Sequence, residues 1–341
     1  VQDYQTVLME ALIALGQWQK AQSWIDGHPA GHTQEQLFKV AYANRDWQKV
    51  YELYANMEPN FETTYVYLQA LLHLSKIDDA RILLGNLMKN SDTDERRLAV
   101  NLWRLDFEGD YAGIIEYVDE VAAISFQTTK ERKTQVVLGK AYRKLGMYDE
   151  ANAQLVGFEK HTGGDIDCRI EFAKLAFERQ NFGKCVHVYQ KLVGDGYTLS
   201  AFQQYQYLSA IYGIKEYEKF IQLFDELSEC IEDLPVLYIK SLVATKQWSQ
   251  ALEAMEQSGL DSCDELCHER VLANYRLGMI EEAYQCANKP TPLDTYEYWE
   301  LIAELAFLME DRDLEKYCYR GMVAVFPDIN KEKNLLKLQQ I

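Results

Sequence analysis

The sequence predicts an all-α fold, a solenoid of about ten antiparallel helix hairpins, and three observations carry that prediction. First, a turn phrase recurs. An aromatic or branched residue stands at positions 18, 47, 77, 111, 148, 182, 217, 248, 280 and 314, at spacings of 29, 30, 34, 37, 34, 35, 31, 32 and 34 residues. Three positions after each comes a residue that is usually small or apolar: Ala21, Val50, Ala80, Ile114, Ala151, Cys185, Phe220, Ala251, Ala283 and Tyr317. A sustained period of this length marks units that bury their apolar faces by stacking on one another. Second, the six prolines (Pro29, Pro59, Pro235, Pro290, Pro292 and Pro327) fall in expected loops or at a helix start, where a missing amide costs nothing. Third, alternating β patterns are absent.

The best-preserved phrase is Val137-Leu-Gly-Lys-Ala-Tyr142-Arg-Lys-Leu-Gly146-Met-Tyr148-Asp-Glu-Ala151. Leu138, Ala141, Tyr142 and Leu145 form one apolar stripe of a first helix. Gly146 ends it in the left-handed conformation of a C-cap, and Tyr148 opens the second helix. The earlier units turn at Gly16-Gln-Trp18, Arg45-Asp-Trp47, Lys76-Ile77 and Gly109-Asp-Tyr111. The later ones turn at Asn181-Phe182, Lys215-Glu-Tyr217, Gln247-Trp248, Gly278-Met-Ile280 and Arg312-Asp-Leu314. A rigid linker, Asn288 to Asp294, precedes the last hairpin, with Asp294 or Thr295 placed to cap the next helix. The expected organisation is a repeat array over residues 1–328 and a capping helix over 329–341, with Leu335, Leu336 and Leu338 covering the open end.

Gly139 and Tyr142 in the first helix, followed by Gly146-x-Tyr148-x-x-Ala151, resemble the core of a tetratricopeptide repeat (TPR). The resemblance extends over about residues 5 to 326. It implies a right-handed superhelix whose concave face is lined by the first helix of each pair. The family's small residue at the helix–helix contact is matched by Gly139 and Ala173 and replaced by Phe38, Leu68, Leu102, Leu208 and Ile239. Its aromatic near the start of the first helix and its proline after the second are mostly missing. These departures bear on the regularity of the superhelix, not on hairpin stacking.

Composition narrows the function classes. Apolar residues make up 48% of the 341, so the chain can bury a core. Against 35 lysines and arginines stand 53 acids, a net charge of -18. This balance argues against a duplex-binding basic surface and against adhesion to anionic lipid, so neither nucleic acid nor membrane is an expected partner. No apolar run reaches the length of a membrane span. The chain opens Val1-Gln-Asp-Tyr without an initiator methionine, and a piece of a longer protein is the expectation. Seven scattered cysteines form no secretory framework, and reduced thiols in a cytoplasmic setting follow.

Chemical motifs are few. Cys263, Cys267 and His268 are the one metal-like group, but His268 points about 100° away from Cys267 on a helix, and structural thiols are the simpler reading. His28 and His32 lie in a Gly/Pro loop with no fixed face. No phosphate loop, nucleophile elbow or zinc-protease motif occurs. Paired acids such as Asp149-Glu150 complement helix dipoles. No cofactor and no enzymatic activity are therefore expected.

The sharper signal is a basic strip. Lys133, Lys140 and Lys144 recur at i, i+7 and i+11 on one helix face, with Arg143 beside them and Lys174 and Lys240 at similar positions in other repeats. Trp103, Phe107, Phe177, Tyr205 and Tyr212 lie out of phase with the turn aromatics, which are read as hairpin packing. An ordinary solvated face is the bland alternative. The functional expectation is a protein-interaction scaffold whose concave face takes a protein or peptide, with the lysines pairing an acidic or C-terminal carboxylate motif. The carboxylate clamp of chaperone-binding TPR proteins is not carried over, because Lys140 and Lys174 stand where that clamp has asparagines. A regulatory TPR region controlling an attached signalling, transcription or glycosyltransferase domain, and a metal-dependent enzyme, are the alternatives.

Overall fold

Apolar residues at three- and four-residue spacing form helices wherever the turn phrase leaves room for them. The structure, a computed structural model, describes residues 2–15, 17–28, 31–91, 94–120, 133–162, 165–226 and 234–341. Among these the helices of the first half are α1 (Gln2–Ala14), α2 (Trp18–Gly27), α3 (Gln34–Ala43), α4 (Trp47–Tyr54), α5 (Phe61–His73), α6 (Ile77–Asn90), α7 (Asp94–Glu108), α8 (Tyr111–Glu120), α9 (Lys133–Lys144) and α10 (Tyr148–Thr162). They continue with α11 (Ile166–Glu178), α12 (Phe182–Gly194), α13 (Ala201–Gly213), α14 (Tyr217–Asp225), α15 (Leu234–Ala244) and α16 (Trp248–Gln257). The last are α17 (Cys267–Arg276), α18 (Ile280–Cys286), α19 (Tyr296–Leu308), α20 (Arg312–Val325) and α21 (Lys331–Gln340). No strand occurs among the described residues. The fold is an all-α array of helix hairpins, and the chain forms two compact units, Val1–Ala210 and Ile211–Ile341.

One backbone device makes the hairpins. Residues 45, 75, 109, 146, 180, 215, 246, 278 and 310 all have a positive φ, each two positions before the first residue of the next helix. Arg45 N–H donates to the Tyr42 carbonyl and Asp46 N–H to the Ala41 carbonyl, and the same pair of bonds recurs at each of the nine turns. This is the Schellman closure, which satisfies carbonyls left open at the helix end and returns the chain in two residues. Only Gly109, Gly146 and Gly278 are glycines; the other six sites carry Arg45, Ser75, Gln180, Lys215, Lys246 and Glu310.

The turn residues themselves are at most half-buried, and Ile77 is 39% exposed. The tight column lies three positions on: Ala21, Val50, Ala80, Ile114, Ala151, Cys185, Phe220, Ala251 and Ala283 are all 0% exposed. The last hairpin corrects the sequence reading by two residues. Its second helix opens at Arg312, not Leu314, and Glu315 takes the buried position while Tyr317 is 44% exposed. The left-handed residue there is Glu310, which has no turn signature, so the aromatic pattern slipped to the next apolar residue. Gly139 makes the close contact expected of it: a Cβ there would lie 2.8 Å from Leu155 Cδ2 of α10.

In the second unit, Trp299 of α19 lies against Gly321 of α20, where a Cβ would fall 1.9 Å from its ring. The indole Nε1 donates to the Thr291 carbonyl at 3.1 Å, and Thr295 caps α19. On α21 it is Asn334 that is buried, bridging the Tyr296 hydroxyl and the Ile329 carbonyl. Leu335 and Leu336, expected to close the array, are 41% and 56% exposed.

Candidate partner-binding face

In the first unit the odd-numbered helices turn side chains onto a common inner face. Asp106 of α7, Lys140 of α9 and Lys174 of α11 occupy one column, 34 residues apart. Lys140 Nζ lies 2.7 Å from Asp106 Oδ1, so the column pairs across adjacent repeats. Glu171 is the hub of a second set: Arg143 reaches it at 2.8 Å and Lys174 at 2.7 Å, while Arg143 also bonds Glu178. Burial alone would raise the Glu171 carboxyl, but Lys174, Arg143 and Lys140 outweigh it and hold it down at about 2. Burial opposes the charge of Lys140 as well, and Asp106 reverses the sign, leaving its pKa raised.

Asp106, Lys140, Glu171 and Lys174 line a lumen of about 200 Å³ whose wall also includes Tyr42, Trp47, His73, Tyr197 and Gln203. The lumen exists because the first unit closes on itself. Tyr42 Oη donates to Asp167 Oδ1 at 2.5 Å, and Arg45 Nε donates to the Tyr197 hydroxyl, across 125 and 152 residues of chain. The Arg45 guanidinium sits 4.9 Å from the centre of the Tyr197 ring. Gly196 takes φ +85, and a Cβ there would lie 3.1 Å from the Gln19 amide nitrogen.

A larger cleft of about 750 Å³ opens beside the lumen, between the α5–α6 hairpin and α7. Its walls are Tyr65, Leu68, Leu72, Ile77, Leu84, Met88, Trp103 and Phe107, and its polar points are Gln69, Arg81, Arg104, Asp106, Glu108 and Lys140. Trp103 is 2% exposed, stacked on Phe61 at 4.5 Å, and its Nε1 has no hydrogen-bond partner. Tyr65, Gln69, Asp106 and Lys140 border both spaces.

The residues expected to bind a partner are thus divided. Trp103, Phe107 and Lys140 meet in the cleft, and Lys140 and Lys174 meet in the lumen. Arg143 is 4% exposed and bound inside the acidic set. Lys144 is exposed, lines neither space, and follows Arg143 on α9. Lys133 opens α9, and its side chain lies outside the described residues. Phe177 and Tyr205 touch edge to face at 6.4 Å. Tyr212 and Lys240 belong to the second unit, where Tyr212 packs on Tyr217 and Lys240 pairs with Glu265 at 2.8 Å. Reading the sequence for cations missed their partners Asp106, Glu171 and Glu178. Aligning the repeats column by column would have found the first, since Asp106 precedes Lys140 by one period.

Cys263 and Cys267 pack into different clusters, around Met255 and around Trp299 respectively. His268 stacks on Tyr298 at 3.7 Å and its Nε2 lies 2.8 Å from Asp294. Among the described residues no three His, Cys, Asp or Glu side chains are grouped to hold a metal. Six cysteines are free and Cys230 lies outside the described residues. Burial pushes the Cys185 and Cys318 thiols up to about 12. No described helix is long and apolar enough to cross a membrane.

No protein-family model matches the chain, and no curated protein matches it. Solved structures do. PilF of Pseudomonas aeruginosa is similar at 17% identity and a TM-score of 0.42, over 61% of this chain and 95% of that one. A tetratricopeptide repeat protein of Parabacteroides merdae is similar at 12% and 0.36, over 72% and 98%. The maize pentatricopeptide repeat protein PPR10, solved with an 18-nucleotide psaJ RNA element, is similar at 15% and 0.29, over 98% and 53%. What the chain shares with them is an all-α array of helix hairpins. One expectation is corrected: nucleic acid was set aside on net charge, yet PPR10, among the proteins the chain is similar to, is solved with RNA bound. A net charge sums over the whole chain and does not fix the charge of any one face, so it is no ground for setting that partner aside.

Proposed function

We propose that the chain is a protein-interaction scaffold without enzymatic activity of its own, and that the inner face of the first unit receives the partner. The cleft between the α5–α6 hairpin and α7 carries this reading. Apolar walls with a few fixed polar points, in a space of about 750 Å³, are what a side-chain anchor needs. Aromatic and arginine residues concentrate binding energy, and Phe107 and Arg104 stand together there over the buried Trp103. An amphipathic segment laying alternate apolar anchors into the groove is the mode that fits. Lys140, Arg143 and Lys174 serve in this reading as the paired framework of the face.

Site-specific photo-crosslinking tests it. Benzoylphenylalanine replaces Gln69 in the cleft or, as control, the exposed Glu52 of α4, in extract of the source cell. A protein adduct that resists nuclease, forms at 69 and not at 52, and falls about tenfold with Phe107→Ala supports the scaffold; an adduct removed by nuclease assigns RNA instead.

A further inference from the structure

We propose that the contact closing the first unit is a latch: the α3–α4 turn leaves α11 and the segment before α13 to let the partner reach from the cleft into the lumen. The inference rests on the scaffold reading above and adds its regulation. Stacked repeats need contact only their neighbours, so a contact between residues 42–45 and 167–197 is surplus to the array. Its chemistry also differs from that of the array. The clusters around Val40, Val66 and Phe172 each join helices that follow one another and are apolar. The closure is held by a phenol on a carboxylate and by a guanidinium that bonds one phenol and faces its ring, with Gly196 packed beside them on the backbone of residues 18 and 19. Water replaces such partners when they separate, whereas separated apolar faces have no substitute. The closure therefore opens at less cost than the interfaces around Val40, Val66 and Phe172.

Geometry supplies the consequence. A lumen of about 200 Å³ is smaller than the spaces that hold drug-sized ligands, about 300–1,000 Å³, and a peptide segment does not fit it closed. The cleft borders the lumen along Tyr65, Gln69, Asp106 and Lys140, while Tyr42, Arg45 and Asp167 wall the lumen alone, so withdrawal of the turn widens the lumen beside a segment already seated in the cleft. Gly196 allows the closed state, since a Cβ there would stand 3.1 Å from the Gln19 amide.

The test measures opening without the partner. Spin labels on p-acetylphenylalanine at the exposed positions 48 and 191 leave the native cysteines untouched and report the gap by pulsed electron resonance. Wild type is expected to give one short distance. Tyr42→Phe with Arg45→Ala, and separately Tyr197→Phe, are expected to add a population longer by 5 Å or more at unchanged helicity, and to raise the crosslinking yield at position 69 at least threefold. Unchanged distances in both variants overturn the latch whatever the crosslinking shows. Longer distances with no rise in yield, where wild type does crosslink, overturn the gating and leave the scaffold standing. Longer distances with no adduct from any protein overturn the scaffold reading and the gating with it.

Discussion

Glu171 shows how much one carboxylate carries. It is 6% exposed, and three cations converge on it. Removing its charge leaves the buried Arg143 with Glu178 alone and the partly exposed Lys174 without its ion pair, so Glu171→Gln should cost about 3 kcal/mol. The pH dependence has a definite sign. A carboxyl held at about 2 against an ordinary 4.5 contributes its full stability above the ordinary value and loses it as pH falls toward the lower one. The shift corresponds to about 3 kcal/mol, of which about 2 disappear between pH 6 and pH 3. Urea unfolding at the two pH values should show that extra loss in wild type relative to the glutamine variant; equal losses would mean the cations do not hold the charge. Two glycines give a second residue-scale test. Alanine gains about 1 kcal/mol of helix propensity over glycine. At Gly139 the obstacle is the fully buried Leu155, whose Cδ2 and Cγ would lie 2.8 and 2.9 Å from the new Cβ, and Gly139→Ala should destabilise by about 1 kcal/mol after that gain. At Gly321 the obstacle is a buried indole ring 1.9 Å away, and Gly321→Ala should destabilise by about 1–3 kcal/mol, read as a fall in Tm.

At the scale of the hairpin, the nine left-handed turn residues predict their own improvement. Lys246 holds φ +63 without being a glycine, a conformation that strains a side-chain-bearing residue by about 1–2 kcal/mol. Part of that is offset by the greater freedom of unfolded glycine, so Lys246→Gly should stabilise by about 0.5–1 kcal/mol, and Gly146→Ala should cost about 1. Denaturant midpoints decide both; a Lys246→Gly variant less stable than wild type would show that its side chain does more than occupy the turn. The hairpins were the most legible part of the sequence because the turn, the stripe and the small residue are all local. They failed at one place for a local reason too. Arg312 and Glu315 sit where other repeats have apolar residues, so the chemistry at that turn no longer advertises its geometry.

At the scale of the whole molecule, legibility ended where contacts left the local chain. The cations at 140, 143 and 174 were visible, and so was their spacing. That Lys140 is already paired was visible only in the 34-residue column that adds Asp106, whereas Glu171 stands three residues before Lys174 on one helix. The closure of Tyr42 on Asp167 was not readable at all, because it depends on small rotations summed over successive hairpins, which no residue pattern encodes. The thiols offer a global check. With Cys185 and Cys318 buried and hard to ionise, and Cys263 and Cys267 in separate clusters, chelator and reductant should each leave Tm unchanged; a marked drop with chelator would revive a metal site.

The same separation along the chain sets a timetable for synthesis. A ribosome adds about 5–20 residues per second, so a hairpin of one repeat is complete within about 2–7 s of its first residue. Tyr42 must wait for a residue made 125 positions later, about 6–25 s after it, and Arg45 longer still. For that interval the first hairpins stand finished while the groove they border remains unsealed, and the nascent chain passes through the open form before it ever reaches the closed one.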